Sequence, residues 1–277
     1  MSDERKGYSI RRIAGEPPIR LLTQAALRFL PCSIRRKAAW DTVRRPEYLV
    51  GLLEGADQAV RQSLHSISAL EFGVAGGNGL VALQEYAASI ERETGVSISV
   101  YGFDTGQGLP NHCGDYRDHP NCWKLGDYQM DEAALRRRLH SRTELVLGDI
   151  SHTVPEFVSK MQKAPLGFVA VDVDYYSSAQ VALTVLSMAE KKMLYRVPMV
   201  FDDVDSPNNH RFAGELRAIE EFNLQNNDVK IDRWRGVYKN RAFHEAEWLR
   251  RMYMAHDLAA ISKTVPPREN SAELPLR

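Results

Sequence analysis

From residue 67 onward, short apolar runs alternate with stretches whose apolar residues recur every three or four positions. The runs cover residues 69–74, 97–103, 144–147, 166–171 and 197–201, and helical spacing fills 78–93, 131–139, 154–162 and 177–191. Short, mostly apolar runs set between helical patterns predict strands buried on both faces. Five strand–helix units in succession predict a parallel sheet covered by helices. Beyond residue 203 the pattern loosens into a helix over 212–224 and strands over 229–234 and 252–256. Ahead of the sheet, residues 42–65 place Tyr48, Leu49, Leu52, Leu53, Ala56, Val60 and Leu64 on one helical face. Pro46 stands near the front of that segment, where a helix tolerates it. The chain thus divides into a helical extension over 1–66, an α/β domain over 67–262 and a Pro- and Glu-containing tail over 263–277, expected to be mobile.

Composition narrows the class. A chain of 277 residues, 44% hydrophobic and 26% charged, buries a sizeable core without disulfides or a structural metal. Lys plus Arg equals 36 and Asp plus Glu equals 36, so the formal net charge is zero. That balance argues against a nucleic-acid binder, which depends on a basic surplus. The clusters Arg11-Arg12, Arg35-Arg36-Lys37, Arg44-Arg45 and Arg136-Arg137-Arg138 read as solvated helix faces. Three cysteines, Cys32, Cys113 and Cys122, make no disulfide framework and point to a reducing compartment. No apolar run approaches the ~20 residues of a membrane span. The charged N-terminus does not read as a secretory signal. The expectation is a cytoplasmic protein with neither nucleic acid nor membrane among its partners; self-association into a homo-oligomer is left open.

The strongest local signal is the run Ala69-Leu-Glu-Phe-Gly-Val-Ala-Gly-Gly-Asn-Gly79, an apolar strand that enters glycines and then a helix near Asn78. Glycines here permit a tight turn and close approach of backbone to a ligand. A dinucleotide turn is matched formally by Gly77, Gly79 and Ala82, but it lies several residues past the strand, and no carboxylate follows about 20 residues on. The alternative pattern places an acid inside the strand ahead of the glycines; Glu71 is that acid, followed by Gly73, Gly76, Gly77 and Gly79.

Carboxylates recur at the strand ends, where an open parallel sheet binds ligands. The second strand ends in Asp104, suited to ribose hydroxyls because an ionised carboxylate only accepts. The third ends in Gly148-Asp149, suited to an adenine amino group or to capping the next helix. The fourth ends in Asp172-Val-Asp174 and the fifth in Asp202-Asp203.

The glycine run resembles motif I of the class I S-adenosylmethionine-dependent methyltransferases. Residues 102–110, Gly-Phe-Asp-Thr-Gly-Gln-Gly-Leu-Pro, resemble a stretch of the macrocin O-methyltransferase group, as do Asp172-Val-Asp-Tyr-Tyr-Ser-Ser178 and Phe201-Asp-Asp203. The resemblance spans about residues 68–205, in the family's order. It implies a Rossmann-like, mostly parallel seven-stranded sheet and S-adenosylmethionine held by Glu71, Gly73, Gly76, Gly77, Asn78, Gly79, Asp104 and Asp149. It further implies magnesium on Asp172, Asp202 and Asp203, with Asp172 in the catalytic set, and O-methylation of a small-molecule acceptor such as a sugar or secondary metabolite. The 30 positions from Asp172 to Asp202 exceed the family's spacing and place an insertion near residues 191–196. The segments before 68 and after 205 lie outside the resemblance, so the acceptor pocket stays unassigned.

His210 is the first candidate for a general base, seven positions after the acidic pair; His244 and His256 rank behind it. Residues 106–128 read as a polar lid over the cofactor. His112, Cys113, His119 and Cys122 fall inside it, but adjacent His112 and Cys113 lack zinc-knuckle spacing. Two rivals stand: an NAD-dependent oxidoreductase on a related sheet, lacking a Tyr-x-x-x-Lys pair, and a non-catalytic cofactor-binding protein.

Overall fold

The computed structural model describes residues 18–160, 164–189, 192–206 and 208–264. Most of the tail, from 265, the first 17 residues and part of the expected insertion lie outside the described residues. The order of elements is α1 (Pro18–Phe29), α2 (Ile34–Ala39), α3 (Pro46–Arg61), β1 (Ser66–Phe72), α4 (Asn78–Thr94), β2 (Ser97–Asp104), α5 (Glu132–Arg136), β3 (Thr143–Leu147), α6 (Ile150–Lys160), β4 (Leu166–Val171), α7 (Tyr176–Met188), β5 (Arg196–Phe201), α8 (Gly214–Gln225), β6 (Val229–Arg233), β7 (Met252–Asp257) and α9 (Leu258–Ser262). Every strand expected from the pattern is present. The expected helix over 131–139 shortens to five residues, because the run Arg136-Arg137-Arg138 offers no apolar face to hold a longer one. The helix expected from 154 starts four residues earlier, where the Asp149 carboxylate accepts from the Ser151 amide at 2.8 Å and caps it.

The seven strands order as β3-β2-β1-β4-β5-β7-β6. All neighbours run parallel except β7, which lies antiparallel between β5 and β6. The order reverses between β1 and β4, and a crevice opens beyond their carboxyl ends. β4 is buried along its whole length and β1 from its second residue on, as expected where helices cover both faces.

The segment ahead of the sheet belongs to the core. Tyr48, Leu49, Leu52, Ala56 and Ala59 of α3 are buried against it. Gly51 and Gly55 bring the helix onto β4: a Cβ at Gly51 would overlap the Phe168 ring, and one at Gly55 the Gly167 carbonyl oxygen. A second tie is ionic. The Arg241 guanidinium, beyond β6, pairs with Asp41 just before α3, both side chains being 2% exposed. Trp248 Nε1 donates to the same carboxylate at 3.3 Å, and Arg241 stacks on the Trp248 ring at 4.6 Å.

Candidate active site

β1 delivers the glycine turn to the crevice. Gly73 has φ +85°, and a Cβ there would overlap the carbonyl oxygen of Asp172, so only glycine lets the ends of β1 and β4 meet. Gly77, at φ +78°, is the N-cap of α4. Ala75 between them is a non-glycine residue at φ +45°, strain of a kind that collects at ligand sites. Gly76 differs from both. It needs no left-handed backbone, and nothing stands within 4 Å of where its Cβ would be. No contact within the fold requires glycine there, and the turn is open on that flank.

Asp104, at the end of β2, holds this turn. Its Oδ2 accepts from the amides of Val74 and Ala75 at 2.9 and 2.8 Å, and its Oδ1 from Gly106 at 2.7 Å. Three of roughly four lone-pair positions are taken. The bidentate ribose grip expected from the sequence therefore has one lone pair left, and the carboxylate's first task is to shape the turn. Asp149 spends one oxygen on its helix cap and is exposed.

Glu71 is 1% exposed beneath the turn, pressed against Gly79 so closely that a Cβ on that glycine would overlap its carboxylate. Its Oε1 accepts from the Tyr48 hydroxyl at 2.9 Å, and its Oε2 is buried without a partner. Burial pushes the Glu71 carboxyl up to about 7, against the pull of Arg45 and the Tyr48 hydrogen bond. A carboxyl raised in the folded state adds stability that is complete below its unfolded pKa and is lost as pH rises through the folded value. Moving from pH 5 to pH 8 should therefore cost wild type roughly 2–3 kcal/mol more than it costs Glu71→Gln. Denaturant titrations at both pH values test this. Histidine contributions cancel between the two proteins, and equal pH slopes would refute the assignment.

The acidic residues of β4 and β5 gather at the same edge. Asp172 receives Arg45 Nη1 at 3.3 Å; Asp202 receives Arg251 Nη1 at 2.6 Å and lies 4.0 Å from Arg45. The sequence shows no basic residue beside either motif, and the fold supplies two from afar. Arg45 is the N-cap of α3, at φ +49°, and lies over the Tyr48 ring at 5.0 Å. Burial, then Asp202, hold the Asp172 carboxyl well above the carboxylate range. Burial, then Asp203, push Asp174 up to about 8, and burial, then Asp202, push Asp203 up to about 6. Asp174 adopts φ +58°.

Glu215, in the first turn of α8, is fully buried and accepts from the Asp203 amide at 2.9 Å. Nothing in its sequence context marks it out. Its Oε1 and Asp203 Oδ2 have no partner. Two guanidinia thus leave this edge short of positive charge, and hard carboxylate oxygens suit a divalent cation of the magnesium type. The side chains do not converge on one point. Among the described residues, no three His, Cys, Asp or Glu groups stand together as a metal-binding set. That holds equally for the cysteines and histidines of residues 106–128.

That loop is tied down at two places. Leu109 and Gly126–Asp127 exchange backbone hydrogen bonds of 2.8 and 2.9 Å. Asp118, fully buried, accepts from the Ser177 amide and hydroxyl at 2.8 and 2.7 Å and from the Cys113 amide at 2.5 Å. Tyr128, at φ +64°, stands over the acidic edge, where burial and the carboxylates of Asp174 and Asp203 push its phenol up to about 12. Trp123 packs beside it at 5.8 Å. His210 is exposed and meets His119 edge-on at 5.9 Å. His210 Nδ1 accepts from the Phe212 amide at 3.3 Å. His119 Nε2 is buried without a partner, and burial, then His210, holds its pKa below the usual histidine range. The sequence placed His119 in the loop and His210 after the acidic pair; only the fold joins them.

No protein-family model matches the sequence, and neither does any curated protein. The fold does match solved structures. The calicheamicin methyltransferase CalS11 superposes with a TM-score of 0.54 at 18% identity, over 87% of this chain and 93% of that one. The O-methyltransferase NovP gives 0.49 at 18% identity, over 69% and 79% of the two chains. TomG from Streptomyces achromogenes gives 0.44 at 14%, over 82% and 91%. The chain has the Rossmann-like fold of a class I methyltransferase, with helices ahead of the sheet.

Proposed function

We propose that this protein transfers a methyl group from S-adenosylmethionine to a hydroxyl of a small molecule. The observation that carries the reading is the open flank of Gly76 in a turn strained at Ala75 and clamped by Asp104. The likeness of fold to a calicheamicin methyltransferase supports it. Backbone over residues 73–79 would wrap the amino-acid end of the cofactor above Glu71, with the last lone pair of Asp104 for the ribose and the free oxygen of Asp149 for the adenine. The cofactor supplies the methyl group. Asp172, Asp202 and Asp203 would hold magnesium once Arg45 and Arg251 yield their oxygens, and the ion would lower the pKa of the acceptor hydroxyl. His210 Nε2 would take the proton that the acceptor hydroxyl gives up on methylation. Trp123 and Tyr128 wall the acceptor, and the crevice holds both reactants near contact distance.

Calorimetry with S-adenosylhomocysteine and NAD in parallel tests the cofactor. Binding of the first alone is expected; binding of NAD alone would overturn the reading. Transfer of labelled methyl to hydroxylated acceptors, with and without chelator, tests the rest. Magnesium at ten times its Kd should raise the melting temperature of wild type by about 2 °C, and Asp202→Asn should remove most of that rise. Activity indifferent to chelator would remove the metal and leave methyl transfer standing.

A further inference from the structure

A cavity of about 560 Å³ lies between α3 and the β6–β7 edge of the sheet. It is remote from the crevice. Arg196, on its wall, opens β5, whose other end leads to Asp202 roughly 20 Å away. Four arginines line it, Arg61, Arg196, Arg233 and Arg235, together with His256. Two carboxylates line it as well, and each is already engaged: Glu54 pairs with Arg61 at 2.6 Å, and Asp232 pairs with Arg235. Arg233 donates to the neutral carbonyl of Arg250 at 3.3 Å. The Arg196 side chain has no hydrogen bond or ion pair among the described residues, although its backbone pairs with His256 in the ladder.

Two positive charges are thus left over in one concavity, where the surrounding protein concentrates their field. They already act on their surroundings. Burial, then Arg196, holds the His256 pKa below its ordinary value. An occupant that balances the site carries about two negative charges. A phosphomonoester carries that at neutral pH in one group, whereas a carboxylate carries one. Guanidinia also match phosphate oxygens in pairs of hydrogen bonds. The space exceeds a bare phosphate ion and falls within the usual range of small-molecule sites. Partly buried Trp234 and buried Met254 supply a wall for an organic body.

We propose that this cavity is a second binding site, for a small molecule bearing a phosphate group, with Arg196 and Arg233 as its anion ligands. The test uses the full chain saturated with S-adenosylhomocysteine, so that the cofactor crevice is filled. Phenyl phosphate, inorganic phosphate and benzoate are titrated separately by calorimetry. Phenyl phosphate should saturate with a Kd below about 1 mM, at least about tenfold tighter than benzoate. Arg196→Ala and Arg233→Gln should each weaken it about tenfold or more, with cofactor affinity and melting temperature unchanged. No saturation of wild type below about 10 mM, equal binding of benzoate, or unchanged affinity in both variants would overturn the assignment.

Discussion

Asp41→Ala should lower the melting temperature by roughly 5–9 °C. The substitution removes the carboxylate that neutralises Arg241 where both side chains are almost wholly buried, and it leaves the Trp248 indole donor unmatched. Deleting one partner of a buried pair is costly because the other charge stays behind, roughly 3–5 kcal/mol. The pair joins residues 200 positions apart, so the loss also loosens the helices ahead of the sheet from the loop before β7. Arg241→Ala should cost a similar amount, and the double variant less than the sum of the two singles. Thermal denaturation of the three variants decides; a drop of under about 2 °C in Asp41→Ala would show that the pair does not hold these segments together.

Asp104→Ala should weaken S-adenosylhomocysteine binding about thirtyfold, on the order of 2 kcal/mol, and should also lower the stability of the ligand-free protein. The two effects separate two roles for one carboxylate. A residue that only gripped ribose would leave the free protein untouched. A residue that accepts from Val74, Ala75 and Gly106 shapes the turn before any ligand arrives, and its removal orphans three amides. Asp104→Asn keeps one acceptor oxygen and should fall between. Calorimetry and melting curves on the same preparations supply both readouts; unchanged affinity would remove Asp104 from the site altogether.

The sheet was legible because short, mostly apolar runs recur between stretches of helical spacing, at lengths that suit strands. The parallel order followed from the alternation of strands with helices, and the strand-end aspartates were visible because they sit at fixed offsets from those runs. What was hidden is what the topology imports. Arg45 reads as half of a solvated Arg44-Arg45 pair, and only the docking of α3 on β4 carries it to Asp172, 127 positions away. Glu215 looks like any acid in a first helical turn; its burial under Asp203 depends on how α8 crosses the sheet. His119 and His210 lie 91 positions apart on segments without strong periodicity, so no pattern could join them. Asp104 stands at the end of β2, as the pattern places it, but two of the three amides that occupy it belong to the neighbouring strand's turn, about 30 positions away in sequence.

The insertion of β7 between β5 and β6 has a consequence for synthesis. When β5 leaves the ribosome, the strand that will cover its open edge is still about 50 residues from being made, a delay of roughly 3 to 10 s at ordinary elongation rates. Through that interval the nascent chain carries an apolar β5 with unpaired backbone groups along one side, a template for pairing with other chains. Arg241, which anchors the earlier helices, is translated in the same interval. Completion of the sheet and anchoring of the first helices are therefore both late events in translation, and a chain interrupted before residue 252 should be an aggregation-prone fragment and not a smaller domain.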